Sequence, residues 1–251
     1  LATGSKTTIG TISMNGDGTQ KLETMAEKAR DKGMRVGIIS SVSIDHATPA
    51  CFYAHEPSRG NYYNIAAQMS TSEFDYFGGG YAKGNFASKG AGDIIEKMVA
   101  AGYTVTTNRS ELESVQPGTK VWAYTDYDGS GAMNYELIRK NSEISLAEFT
   151  RKGIELLDNE AGFFMMVEAG KVDWACHAND VVSATHDMIA FDAAIAEAIA
   201  FYNEHPEETL IVITGDHECG GLTLGFANTG YESAFNLLSH QVISYDLFTG
   251  K

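Results

Sequence analysis

The sequence predicts an α/β protein with a mostly parallel central sheet and helices on both faces. Helical apolar patterns alternate with short apolar runs four times along the chain, which is typical of a parallel sheet covered by helices. The 251 residues are 43% hydrophobic, so one sizeable core can form. Because no repeat, linker or low-complexity tract interrupts the pattern, we expect a single domain over residues 1–251.

The first two units are each a helix followed by a strand. Apolar side chains at helical spacing predict a helix over Leu22–Lys32, and Gly33 supplies its C-terminal stop. The apolar run Met34–Ile39 then predicts a buried strand. The same order returns as a helix over Ile94–Ala101 and a strand over Tyr103–Thr107.

Two further units follow in the second half of the chain. A helix over Leu146–Leu157 precedes a strand over Gly162–Val167. A long helix over about Asn179–Asn203 precedes a strand over Thr209–Thr214. The glycine-rich stretch Phe77–Gly90 lacks periodicity and predicts a loop or a set of turns. On the long helix, an apolar stripe is expected to face the sheet: Val181, Ala184, Met188, Phe191, Ile195, Ala198 and Tyr202.

The composition argues against two classes of partner. The formal net charge is −15, whereas binding to nucleic acid or to an anionic membrane needs a basic patch. No apolar run approaches the ~18 residues of a membrane span. The three cysteines, Cys51, Cys176 and Cys219, form no C-x-x-C pair and are too few for a disulfide framework. We interpret them as small packing residues.

Residues that can bind metal ions follow two of the predicted strands. Ligand chemistry in an open α/β sheet gathers at the carboxyl ends of the strands. After the strand over Gly162–Val167 come Asp173 and His177, which at i and i+4 can share one helical face. After the last strand come the adjacent residues Asp216 and His217. Carboxylates and imidazoles are zinc ligands. Each Asp-His pair alone is also typical of a solvated helix face or a capping residue. The recurrence of such pairs after buried strands favours a metal centre.

Oxygen donors and an arginine complete the candidate site. Glu168 directly follows its strand and Thr48 follows the first strand, and such all-oxygen donors suit magnesium better than zinc. Arg59 carries a planar fork that matches two phosphate oxygens, although an exposed arginine at the end of a short helix is the other interpretation. His46 and Trp174 are each close in sequence to a predicted ligand and are candidates for shaping the metal site.

Four segments closely resemble bacterial alkaline phosphatases, in order and in spacing. They are Leu1–Ile9 (LATGSKTTI), Ser43–Arg59 (SIDHATPACFYAHEPSR), Phe163–Asp180 (FFMMVEAGKVDWACHAND) and Thr209–His217 (TLIVITGDH). The likeness runs from Leu1 to about Gly225 and weakens after it. The resemblance implies an alkaline-phosphatase-like α/β domain that is truncated at both ends.

The resemblance also implies two zinc ions and one magnesium ion. The implied ligands are Asp173 and His177 for the first zinc, Asp216 and His217 for the second zinc, and Thr48 and Glu168 for the magnesium.

Three more residues take roles from the same resemblance. Arg59 matches the arginine that clamps the phosphate, while His46 and Trp174 match positions that tune the magnesium site and the substrate pocket. The nucleophilic serine of the family is expected just upstream of Leu1, a bridging aspartate further upstream, and the last histidine of the first zinc after the end of this sequence. His240 lacks the His-Thr-Gly or His-Gly-Gly context expected of that histidine.

The implied function is hydrolysis of phosphate monoesters through a phosphoserine intermediate. Small phosphate monoesters and inorganic phosphate are the expected partners, a homodimer is a compatible assembly, and the expected location is periplasmic or secreted. Without the serine the fragment itself is expected to be inactive, with its metals absent or partial. Two alternatives remain open: a related metal phosphodiesterase, phosphomutase or sulfatase, and an inactive fragment that binds metal or phosphate. The Thr48 and Glu168 pair, together with the Ala-Thr-Gly-x-Lys-Thr stretch at Ala2–Thr7, favours the monoesterase.

Overall fold

A parallel sheet forms the centre of the protein. The computed structural model describes residues 1–86, 92–223, 230 and 232–250. Within these residues the sheet has five strands, all paired in parallel, in the spatial order β3-β4-β2-β1-β5. The strands are β1 (Arg35–Ser40), β2 (Tyr76–Gly79), β3 (Thr104–Thr106), β4 (Val121–Tyr124) and β5 (Phe163–Glu168). The α/β class with a parallel sheet is confirmed.

Helices connect the strands and continue the chain after β5. They are α1 (Met25–Asp31), α2 (Ala47–Tyr53), α3 (Tyr62–Met69), α4 (Lys83–Phe86), α5 (Ile94–Ala100), α6 (Arg109–Ser114), α7 (Leu146–Leu157), α8 (Gly170–His177), α9 (Val181–Glu204) and α10 (Tyr245–Thr249). Short 3-10 helices lie at Glu136–Ile138 and Phe235–His240. Among the described helices, none combines the length and apolarity that crossing a bilayer requires.

The sheet separates two hydrophobic cores. Successive residues of a strand point to opposite faces, so Ile38 belongs to one core and Ile39 to the other. In β2, Phe77 and Tyr76 divide in the same way. Helices α1, α2 and α5 contact strands on the side of the first core, whereas α7 packs over the second core together with α9. The prediction of helices on both faces is therefore confirmed.

Capping side chains set where the predicted helices begin. Helix α7 occupies the predicted range because Ser145 and Glu148 form a capping box at its start. Helix α1 begins later than predicted, at Met25, because Thr24 and Glu27 form the same arrangement. The apolar pattern that starts at Leu22 therefore includes residues that precede the helix.

The prediction of a loop over Phe77–Gly90 is wrong in part. Most of β2 and all of α4 lie within this stretch, and residues 87–91 lie outside the described part of the chain. Strand β2 is buried between β1 and β4, so its residues show no alternation. Close approach explains its glycines: at Gly79, where φ is +105°, an added Cβ would lie 2.0 Å from the carbonyl oxygen of Ser40.

The predicted strand over Thr209–Thr214 is also wrong. No described strand pairs with these residues, and the side chain of Leu210 is 86% exposed. Strand β5 forms the edge of the sheet opposite β3, and no strand among the described residues pairs with its outer side. An apolar run forms a strand only where a neighbouring strand and a packed layer complete it. The described residues supply neither at this position.

Helix α9 confirms the predicted long helix but not its whole apolar stripe. Ala184 is buried as expected, whereas Met188 is exposed. The buried residues of this helix instead include Asp187 and Ala194. The buried face therefore carries a carboxylate that an apolar pattern does not reveal.

Asp187 gives the protein an expected pH dependence of stability. Its side chain is 7% exposed, it accepts the N–H of Glu136 at 3.2 Å, and burial raises its pKa to about 7. Because the folded pKa lies above the unfolded value, the folded state binds more protons, and stability falls as pH rises from about 4 to 7. Asparagine does not ionise, so we expect the free energy of unfolding of Asp187→Asn to fall less as pH rises, by on the order of 3 kcal/mol.

The measurement is urea unfolding of wild type and variant at pH 5 and pH 8. Asp192→Asn is the matched control, because Asp192 is an exposed aspartate on the same helix. An unchanged pH dependence in Asp187→Asn would contradict the assignment.

Candidate metal centre

Glu168 and Thr48 meet at the carboxyl ends of β1 and β5. Glu168 is the last residue of β5 and pairs in register with Ser40, the last residue of β1. The Ser40 hydroxyl donates to Glu168 Oε2 at 2.5 Å, and the Thr48 hydroxyl also hydrogen-bonds this carboxyl group. Thr48 reaches it from the first turn of α2. The structure thus brings together the two predicted magnesium ligands.

Negative charge accumulates around Glu168. Burial is the main cause that raises its pKa to about 7, and the carboxylates of Asp216 and Asp173 act in the same direction. The hydroxyls of Ser40 and Thr48 act against this rise. A carboxyl group in such surroundings is stabilised in its charged form when a cation binds beside it.

Helix α8 presents Asp173 and His177 on one face. The helix starts at Gly170, directly after β5, so its first turns lie at the carboxyl edge of the sheet. His177 Nε2 lies 3.3 Å from Asp173 Oδ1, as the i, i+4 spacing predicts. Both side chains reach solvent, so the pair is open to an incoming ion or substrate.

His217 reaches the same carboxylate from a distant part of the chain. Its Nε2 lies 3.5 Å from Asp173 Oδ1 and 4.0 Å from Asp216 Oδ2. Its Nδ1 lies 3.0 Å from the carbonyl oxygen of Glu218, which can only accept, so Nδ1 carries the proton. This hydrogen bond is the first cause that raises the pKa of His217. The neutral tautomer keeps the Nε2 lone pair on the carboxylate side, as a metal ligand needs.

Cys219 also lies at this carboxylate, and the sequence interpretation missed it. Its Sγ lies 3.5 Å from Asp173 Oδ1, and one ligand atom each from Asp173, His217 and Cys219 lie within 4.8 Å of one another. Desolvation, followed by the hydrogen bond to Asp173, raises the pKa of Cys219 to about 12, so the group is a thiol. Its position two residues after His217 was the signal available in the sequence.

Arg59, His46 and Trp174 form a chain of contacts beside the ligands. Arg59 Nη2 donates to His46 Nε2 at 3.1 Å, and the His46 ring meets Trp174 edge to face with centroids 5.6 Å apart. Burial and then the nearby Arg59 lower the pKa of His46 to about 4, so its ring is neutral. The three predicted residues therefore contact one another in series, and Arg59 is the exposed member of the series.

A buried lysine anchors α8, and the sequence interpretation did not identify it. Lys171 is 1% exposed, and its Nζ lies 2.8 Å from Asp128 Oδ2 and 3.7 Å from the centroid of the Tyr135 ring. The same Nζ lies 4.8 Å from the Trp174 ring, and the backbone N–H of Lys171 donates to Ser41 Oγ. Lysine is rarely buried unless it is paired, so helical position alone did not indicate this role. The contacts tie α8 to the loops after β1 and β4.

The donor set fits the predicted metals. Around one oxygen of Asp173, the ring nitrogens of His177 and His217 lie within 3.5 Å, and zinc takes such nitrogen and oxygen ligands. Glu168 and Thr48 offer only oxygen, which suits magnesium. The residues that would hold such ions therefore lie together beside the carboxyl edge of β1 and β5.

The family model for alkaline phosphatase matches residues 1–244. Over 232 residues the chain is 32% identical to alkaline phosphatase 3 of Bacillus subtilis (strain 168), a match that covers 90% of this chain and 48% of that protein. The chain thus spans about half the length of the curated relatives it matches.

Solved structures show the same likeness. The cold-active alkaline phosphatase from the psychrophile Shewanella sp. superposes with a TM-score of 0.86 and 32% identity, covering 97% of this chain and 58% of that one. A mutant alkaline phosphatase of the Antarctic bacterium TAB5 was solved with Mg bound in its M3 site. It superposes with a TM-score of 0.71 and 26% identity, covering 81% of this chain and 58% of that one. The chain belongs to the alkaline phosphatase family.

Proposed function

We propose that the protein is a phosphate-monoester hydrolase that uses two zinc ions, one magnesium ion and a phosphoserine intermediate. The observation that carries this proposal is the convergence of His177 and His217 on Asp173, beside the hydroxyl-bonded Glu168, in a chain of the alkaline phosphatase family. Asp173 and His177 would hold the first zinc, Asp216 and His217 the second, and Thr48 and Glu168 the magnesium.

The ions, when bound, lower the pKa of the nucleophilic hydroxyl and stabilise negative charge on the leaving oxygen. Arg59 supplies two N–H donors to the nonbridging phosphate oxygens. Its contact with the neutral His46 orients the guanidinium without adding a competing charge. Ser40 holds Glu168 through its hydroxyl, so the carboxylate is positioned before any ion arrives.

Small phosphate monoesters are the proposed substrates and inorganic phosphate the product. A periplasmic or secreted location and a homodimeric assembly belong to the same proposal, and they rest on the family resemblance. The formal net charge of −15 agrees with partners that are neither nucleic acid nor an anionic membrane.

The full-length protein should hydrolyse p-nitrophenyl phosphate at alkaline pH. Treatment with EDTA is expected to abolish the activity, and zinc with magnesium is expected to restore it, because both ions contribute to the transition state. Bis-p-nitrophenyl phosphate and p-nitrophenyl sulfate serve as comparison substrates and should react far more slowly. Residues 1–251 alone are expected to give no turnover. Full activity after proven metal removal, or preference for the diester or sulfate, would refute the proposal.

A further inference from the structure

Two cysteines face each other beside the metal centre. Cys176 lies on α8, immediately before His177, and Cys219 lies two residues after His217. Cys219 Sγ lies 3.6 Å from the carbonyl oxygen of Asp173, which belongs to the same helix as Cys176. Both cysteines are half-buried and free, so a small reagent can reach them.

The backbones around the two cysteines approach closely. At Gly220, where φ is +81°, an added Cβ would lie 2.6 Å from the carbonyl oxygen of Cys176 and 3.3 Å from its Cα. Only glycine fits this approach, and Cys219 is its direct neighbour. A disulfide requires Cα atoms roughly 4–7 Å apart, and this close passage brings the backbone next to Cys219 against that of Cys176.

We propose that Cys176 and Cys219 form a reversible disulfide that clamps α8 to residues 216–219. Cys176 gives up its proton, attacks a small disulfide such as oxidised glutathione, forms a mixed disulfide and releases one thiol. The second cysteine then displaces the second thiol. Two protein thiols are oxidised to one S–S bond, while one external disulfide is reduced to two thiols that carry away both protons.

The clamp joins the two segments that bear the metal-binding residues. Asp173 and His177 lie on α8, whereas Asp216 and His217 lie on the other segment. Oxidation also removes the S–H donor that Cys219 directs at Asp173, so that His177 and His217 remain beside this carboxylate oxygen. Formation of the disulfide does not depend on the proposed phosphatase function.

Peptide mapping tests the link directly. The protein is equilibrated with oxidised glutathione, its remaining thiols are blocked with iodoacetamide, and the digest is analysed by mass spectrometry without reduction. We expect one cross-linked pair containing Cys176 and Cys219, with Cys51 alkylated. Cys51→Ser should keep the link and Cys219→Ser should lose it. Alkylation of both Cys176 and Cys219 in the wild type, or a link to Cys51, would overturn the proposal.

Thermal unfolding provides a second readout. The disulfide closes a long loop, so the oxidised protein should melt roughly 5–10 °C higher than the reduced protein. A reductant should reverse the shift, and Cys219→Ser should not show it. An equal Tm of the two wild-type forms would overturn the clamp. A failed phosphatase assay would leave both of these tests unaffected.

Discussion

Replacing Asp173 by alanine in the full-length protein is expected to lower kcat/KM for p-nitrophenyl phosphate on the order of 10³-fold. One oxygen of this carboxylate is approached by the ring nitrogens of His177 and His217, at 3.3 and 3.5 Å. Losing it removes the only carboxylate shared by the two histidines among the described residues. A bound metal supplies several kcal/mol of transition-state stabilisation, and about 4 kcal/mol corresponds to this factor.

Steady-state kinetics should be measured together with the zinc content of the purified variant. Asp192→Ala is the matched control, because Asp192 is exposed on α9 and should leave both quantities unchanged. Circular dichroism must show that the Asp173→Ala protein is folded. A folded variant that retains wild-type activity and zinc would rule out Asp173 as a ligand.

Replacing Asp128 by alanine is expected to reduce the free energy of unfolding by about 3 kcal/mol. Asp128 pairs with Lys171 at 2.8 Å, and the lysine is 1% exposed whereas the aspartate is 30% exposed. The variant therefore leaves a buried ammonium group that has lost its hydrogen-bonded carboxylate, although the Tyr135 ring still contacts it. Removing one partner of a buried pair costs roughly 3–5 kcal/mol, and we take the lower end because Asp128 is partly solvated.

Urea unfolding of two companion variants tests whether the unpaired charge of buried Lys171 causes the loss of stability. Asp126→Ala removes an aspartate from the same loop whose partner, Lys140, is 68% exposed, so the change should stay within about 0.5 kcal/mol. Adding Lys171→Met to Asp128→Ala removes the unpaired charge and should recover part of the loss. Equal effects of Asp128→Ala and Asp126→Ala would show that burial of Lys171 does not determine the cost.

Some tertiary contacts of the candidate site followed from spacing along the chain. The i, i+4 interval between Asp173 and His177 is a property of any helix, so their contact needed only α8 to form. Glu168 ends one strand and Thr48 follows another; the two strands proved to be neighbours, and parallel strands align their carboxyl ends. Neither inference required knowledge of how the rest of the chain packs.

Other features depend on contacts between distant segments and had no local signal. Lys171 meets Asp128 across 43 residues of sequence, and a lone lysine on a helix gives no indication of burial. Cys219 meets Asp173 across 46 residues in the same way. These pairings arise from the path of the loops at the edge of the sheet.

The same distinction between local patterns and distant contacts applies to the fold. Alternation of apolar periods was sufficient for the α/β class, for β1 and β5, and for α7 and α9, because each pattern reflects the geometry of its own element. Strand β2 and residues 209–214 were assigned wrongly, because strand formation depends on the neighbour that a segment pairs with. Residue types near the strand ends indicated a metal centre, whereas the Cys219 and Lys171 contacts that surround it arose only when the chain folded.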